Sequence, residues 1–173
     1  AAEPGLLEGQ RYSSSAVMPF LVHQGIQTLI VYDTVATATL ALLFGDPWRV
    51  LEVVEARRDF LYSPSNLGLH PFALLRTLRC LAQLQGLADA NESEREATLA
   101  DIDAHRQQLA EWARINPTNH GALHHLVEAE RARVDGDALT AMSRYDEAIE
   151  RARLSGMQQW AAWAAETAAA WHR

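Results

Sequence analysis

Apolar residues along this chain recur at helical spacing, and polar residues break the pattern at regular turn signals. Val, Ile and Thr do not fall into alternating runs between turn residues, so strands are not expected. Ala1 to Ser15 reads as a loose polar lead-in. A first helix is predicted from Ala16 to Phe44, bent near Gly25 and ended by Gly45. Asp46-Pro47 pairs an N-cap with proline at the first helical position and opens a second helix, which reaches Tyr62 and stops at Ser63-Pro64. Pro71 opens a third, which runs through Gln85 and ends near Gly86.

Asn91 and Glu94 have the spacing of a capping box and open a fourth helix. Leu99, Ile102, Leu109, Trp112 and Ile115 supply its apolar contacts, and it breaks before Pro117. A fifth helix is predicted from Thr118 to Asp135, with Gly136 as its C-terminal cap and Asp137 as the N-cap of a sixth. The sixth ends at Ser155-Gly156, and a seventh starts at Met157. About seven helices joined by short turns predict an all-α fold of antiparallel hairpins stacked side by side. The turn glycines Gly45, Gly86 and Gly136 are unevenly spaced, so the array is irregular. Residues 16–173 are expected to form one repeat domain.

Composition narrows the function classes. Hydrophobic residues make up 49% of the 173, enough for a packed interior. The formal net charge is −7, which argues against nucleic acid or an anionic membrane as a partner. All 15 basic residues are arginine. The single cysteine, Cys80, lies between Leu78 and Leu81 and reads as a buried small hydrophobe; one thiol excludes an internal disulfide framework and a Cys-rich zinc site. A cytoplasmic setting is expected. The apolar stretch from Phe20 to Phe44 is interrupted by His23, Gln24, Gln27 and Asp33, and reads as a buried helix rather than a membrane span. No initiator methionine is present and the chain stops at Trp171-His172-Arg173, so it is expected to be a piece of a larger protein.

The clearest repeat unit is Leu123 to Gly156. Ala129 stands before the Gly136-Asp137 turn, with Ala141, Tyr145 and Ala148 after it. In a tetratricopeptide unit such small residues let two helices approach, and the aromatic locks the hairpin. Glu128 and Ala132 stand where a leucine and a tyrosine are the rule, so the unit is degenerate.

A wider resemblance runs from Gln107 through Trp112-Ala113, Pro117, Asn119, Leu126-Val127-Glu128-Ala129-Glu130, Ala132-Arg133 and Gly136. It continues through Ala141-Met142, Tyr145-Asp146, Ala148-Ile149, Ala152 and Gly156 to Ala164, Glu166, Ala168-Ala169 and Trp171. Leu42 to Asp46 and the hairpin after it match more loosely. Together these resemble the helical-repeat region of large bacterial signalling proteins. Those proteins join a serine/threonine-kinase-like domain, an AAA-type ATPase domain, this helical region, a GAF domain and a sensor histidine kinase. The resemblance implies a tetratricopeptide-like right-handed superhelix that connects the ATPase and sensor-kinase modules. It carries no catalytic residue onto this chain. Its positions near His120, Gly121 and Ala122 differ from the family pattern.

His120, His124 and His125 are the candidate metal ligands, because residues four apart share a helix face. No carboxylate or cysteine beside them in sequence offers a third ligand, so packing or surface histidines are the favoured reading, and no metal or cofactor is assigned. Glu128 and Glu130 are two apart and on different faces, which weakens a shared acid–base site. Glu128 is expected to bond a neighbouring helix instead, with Arg131 or Arg133 as partners. Trp160, Trp163 and Trp171 predict a last helix packed on the preceding hairpin, its open edge pairing with a second copy as a homodimer. No phosphate-binding loop, G-x-S-x-G or H-E-x-x-H motif occurs. The sequence therefore points to a non-catalytic scaffold or connector. Its partners would be neighbouring domains of the same polypeptide or another signalling protein. The alternative is a small-ligand-sensing module.

Overall fold

In the computed structural model, the residues described are 9, 11–61, 70–88 and 90–171. Among them the chain is all-helical, in nine segments. These are α1 (Ser14–His23), α2 (Gln27–Leu43), α3 (Pro47–Ala56), α4 (Arg58–Leu61), α5 (His70–Gly86), α6 (Glu92–Ile115), α7 (Pro117–Val134), α8 (Ala138–Leu154) and α9 (Gln158–Trp171). They fall into two compact units, residues 1–88 and 89–173. Residues 1–8 and 10 of the lead-in expected over Ala1 to Ser15, and the helix end expected at Tyr62 with Ser63-Pro64, lie outside the described residues.

Two of the predicted helices are each divided. The expected bend at Gly25 is a full break between α1 and α2, because Gly25 takes φ +65 and ends α1. The predicted second helix stops at Ala56 and restarts at Arg58. The break sits at Arg57, whose guanidinium reaches back to Asp33 of α2. The other boundaries follow their local signals. Asp46 accepts a hydrogen bond from the Arg49 amide (3.0 Å), Asn91 and Glu94 form a reciprocal capping box, and Asn116 accepts from the Asn119 amide (3.1 Å). Pro47 and Pro117 stand in the first turns of α3 and α7. Gly136 takes φ +80, which lets the Asp137 amide bond the Ala132 carbonyl (2.9 Å) and the Gly136 amide bond that of Arg133 (3.1 Å). That is a Schellman closure, and it turns the chain straight into α8.

In the first unit α2, α3 and α5 pack on one another, with α1 against α2. Ile30, Val31, Ala38 and Ala41 of α2, Val50 and Val54 of α3, and Phe72, Leu75, Leu78 and Cys80 of α5 are buried. One charged group lies inside this core. Asp33, 5% exposed, receives hydrogen bonds from the Tyr12 hydroxyl (2.8 Å), the Ser14 hydroxyl (3.0 Å) and the Arg57 guanidinium (2.6 Å). Arg57 also donates to the Thr34 hydroxyl (2.9 Å). A buried carboxylate without partners is expensive, and here three donors from separate segments satisfy it.

In the second unit α6 packs on α7, α7 on α8, and α8 on α9, with α9 also touching α7. Cross-helix pairs show the direction. Arg106 bonds Glu128 while Trp112, further along α6, meets His120, earlier on α7. His125 meets Glu147 while Glu130 meets Tyr145. Both hairpins are therefore antiparallel. Ala129, Ala141, Ala148 and Ala152 are fully buried between α7 and its neighbours, and Tyr145 is 1% exposed. Ala129, Ala141 and Ala148 stand in the slots that the sequence assigns to close approach, and Tyr145 in that of the locking aromatic. The Tyr145 hydroxyl donates to Glu130, itself 3% exposed, and Arg133 holds the other carboxylate oxygen (2.9 Å).

The last helix turns Trp160 inward, 6% exposed, with Trp163 stacked on it, ring centroids 5.2 Å apart and planes nearly parallel. Trp163 and Trp171 are half-buried. The exposed residues of α9 are Gln158, Gln159, Ala162, Glu166, Ala169 and Ala170 rather than a row of indoles. Among the described residues no helix is long and apolar enough to cross a membrane.

Candidate functional site

The second unit carries its densest chemistry on the two faces of α7. The Asn116 cap and Pro117 set the start of this helix, so that His120, His124, Glu128 and Arg131 face α6 at steps of three and four. Gly121, His125 and Glu130 face α8. A Cβ added at Gly121 would lie 3.1 Å from the Arg151 side chain, so α8 comes close at this end.

On the α6 side, Arg106 grips Glu128 with two parallel bonds, Nε to Oε1 at 2.8 Å and a terminal nitrogen to Oε2 at 2.6 Å. Its remaining terminal nitrogen bonds Asp103 (2.7 Å). Such a bidentate pair fixes geometry as well as charge. Burial pushes the Glu128 carboxyl up, but the Arg106 hydrogen bonds and charge overcome it and hold the group below the usual range. The same bonds keep Arg106 charged against its own burial. Beside this pair lies a pocket of about 400 Å³, lined by Asp103, Arg106, Gln107 and Ala110 of α6 and by His124 and Glu128 of α7. The His124 Nδ1 is buried there without a hydrogen bond, its nearest carboxylate oxygen 4.0 Å away on Glu128.

The His124 and His125 rings lie 5.2 Å apart, centroid to centroid, but the three histidines share no common ligand position. The His120 ring packs against Trp112 (centroids 5.9 Å apart), His124 looks toward α6, and the His125 Nδ1 lies 2.8 Å from Glu147 on α8. Glu128 is committed to arginine at both oxygens. Among the described residues no group of three His, Cys, Asp or Glu side chains is placed to hold a metal ion. Glu128 does bond a neighbouring helix, as the sequence suggests, but through Arg106. Arg131 pairs with Asp135, and Arg133 pairs with Glu130. Arg106 carries no local signal for this role, since its partner lies 22 residues on.

Burial lowers the imidazole of His125 to about 4; Glu147 opposes the shift, while His124, Arg151 and Arg144 reinforce it. His124 is lowered as well, again chiefly by burial. The His125 Nδ1 lies 2.8 Å from a Glu147 carboxylate oxygen and 3.4 Å from an Arg144 guanidinium nitrogen, and the tautomer of the neutral ring decides which of the two it bonds. The sign of the pH effect follows. An unfolded histidine takes up its proton below 6.5, whereas the folded one resists until about 4. Stability is therefore lost as pH falls from 6.5 toward 4, and this group contributes no slope above 6.5. Thermal melts across this range are expected to show that slope, and His125→Gln to flatten it. Identical pH profiles for the two proteins would refute the assignment.

Chemically the site is one of fixed, mutually neutralised charge. Arg106 holds the Glu128 carboxyl ionised, and burial holds the His124 and His125 imidazoles neutral at pH 7. Set against models of known protein families, against curated proteins and against solved structures, the chain has no match in any of the three.

Proposed function

We propose that this chain is a non-catalytic helical-repeat scaffold that carries contacts between domains of a bacterial signal-transduction protein of the sensor-kinase kind. The observation that supports it most is the order of packing in α6–α9. Each helix rests on the next, and the charged groups between them are spent on one another. In such a stack a partner bound to one hairpin biases the placement of its neighbour, which is how a connector passes on a state. A right-handed superhelical continuation belongs to the same reading. The test is a binding titration of the chain against separately purified ATPase and sensor modules of the polypeptide. Binding to at least one is expected, and binding to neither would remove the connector role.

The pocket beside Arg106 favours a second reading, a small-ligand-sensing module. Its volume of about 400 Å³ falls within the range of ligand sites, but its lining is charged where such sites are mostly apolar. A ligand-induced rise in melting temperature that Arg106→Ala abolishes would favour sensing over scaffolding.

A further inference from the structure

The charge balance around Arg106 stops one carboxylate short. Arg106 spends Nε and one terminal nitrogen on Glu128 (2.8 and 2.6 Å) and its other terminal nitrogen on Asp103 (2.7 Å). A single guanidinium thus stands against two carboxylates. The neighbouring cations are already committed. Arg131 comes no nearer than 3.9 Å to Asp103 Oδ1 and pairs with Asp135, and Arg144 pairs with Glu147 (2.8 Å). Burial keeps the His124 imidazole neutral, so it adds no positive charge at pH 7. Both arginine approaches to Asp103 fall on Oδ1. Its Oδ2 is left for another donor, on a side chain that is 47% exposed.

These groups line the pocket of about 400 Å³ between α6 and α7. Ala110 brings only a methyl group to the α6 wall, which leaves room beside His124. The His124 Nδ1 is itself buried, so the ring meets the pocket with its other atoms. Asp103 and Ala110 stand about 10 Å apart along α6, so the pocket is longer than an inorganic ion.

On the ligand-sensing reading, we infer that this pocket binds a small organic ammonium ion, a primary amine whose charged nitrogen donates to Asp103 Oδ2 while its carbon body lies toward Ala110 and the His124 ring. The lining carries one uncompensated negative charge, which favours a cation. An anion would have to draw Arg106 away from its partners and would leave the largely buried Glu128 without a counter-charge. A neutral ligand can also donate to Asp103, but a charged donor makes a bond roughly twice as strong. Among the described residues no group of three His, Cys, Asp or Glu side chains is placed to hold a metal ion, whereas an ammonium group asks only for acceptors. The exposed Gln107 amide adds a further acceptor on the same wall.

The test is an amide-correlation NMR titration of the full 173-residue chain with n-pentylamine, 1-pentanol and pentanoate, at pH 7 and constant ionic strength. Pentylamine is expected to shift the amides of α6 around Arg106 and of α7 around His124, saturating at millimolar concentration, while the alcohol and the acid leave them unmoved. Asp103→Asn keeps the size and removes the charge. It is expected to weaken pentylamine binding about ten-fold or more, with an unchanged helical circular-dichroism signal. Ala110→Leu keeps every charge and fills the space, and is expected to weaken binding as much. Glu111→Gln removes an exposed charge from the same helix outside the pocket and is expected to change nothing, which separates the site from attraction to an acidic chain at large. Binding that survives Asp103→Asn or Ala110→Leu, or that falls equally with Glu111→Gln, would overturn the site. Shifts from pentanol or pentanoate in place of pentylamine would overturn the ammonium class and leave a ligand pocket standing. No shift from any of the three would overturn the site and the ligand-sensing reading together.

Discussion

Tyr145→Ala is expected to destabilise the α6–α9 unit by about 3–5 kcal/mol, the cost of emptying a buried aromatic site. Tyr145 is 1% exposed and wedged between α7 and α8, where Ala129, Ala141 and Ala148 let the helices approach. Its loss removes the ring that fills this space and also the donor to Glu130. Tyr145→Phe separates the two effects. It keeps the ring and leaves one oxygen of a buried carboxylate without its partner, at a cost of about 1–3 kcal/mol. Burial, and then the Glu130 charge, push the Tyr145 phenol up, so the hydroxyl remains a donor at any ordinary pH. Hydrogen exchange of the α7 and α8 amides reads this unit selectively. Unchanged protection in both variants would show that the hairpin is held by something other than this lock.

The second large effect is expected in the other unit. Arg57→Ala leaves Asp33 buried with two hydroxyl donors and no counter-charge, and should cost about 3–5 kcal/mol. The pair is inside the fold, with side-chain exposures of 14% for Arg57 and 1% for Asp33. The exposed pair Arg49–Glu52 is the control, since both groups face water, and Glu52→Ala is expected to leave the denaturation midpoint unchanged. Equal effects of Arg57→Ala and Glu52→Ala would contradict the buried-network account.

These two sites show what the sequence makes readable and what it hides. Caps are written locally, which is why Asp46-Pro47, Asn91 with Glu94, and Gly136-Asp137 place helix ends to within a residue or two. Tyr145 and the alanines around the turn are legible for the same reason, since the hairpin they join is short. The break at Arg57 has no such local cue. It depends on Asp33, 24 residues earlier, and the available hint was a lone acid in an apolar helix. The Arg106–Glu128 pair is likewise set by the register of α6 on α7, which spacing alone does not fix. The stretch from Phe20 to Phe44 reads as a buried helix by composition. Hydrophobicity does not say which faces are covered, and α2 is buried on one side only. The tryptophans of α9 mark packing, but Trp160 turns inward and the exposed positions are glutamine, alanine and glutamate.

The connector proposal is tested most directly by crosslinking mass spectrometry on the polypeptide that, under this proposal, joins this region to ATPase and sensor modules, with and without nucleotide. The account predicts crosslinks from exposed positions of α6–α9 to at least one module, with a pattern that shifts between the two nucleotide states. Crosslinks confined to the region itself, or a pattern indifferent to nucleotide, would contradict it.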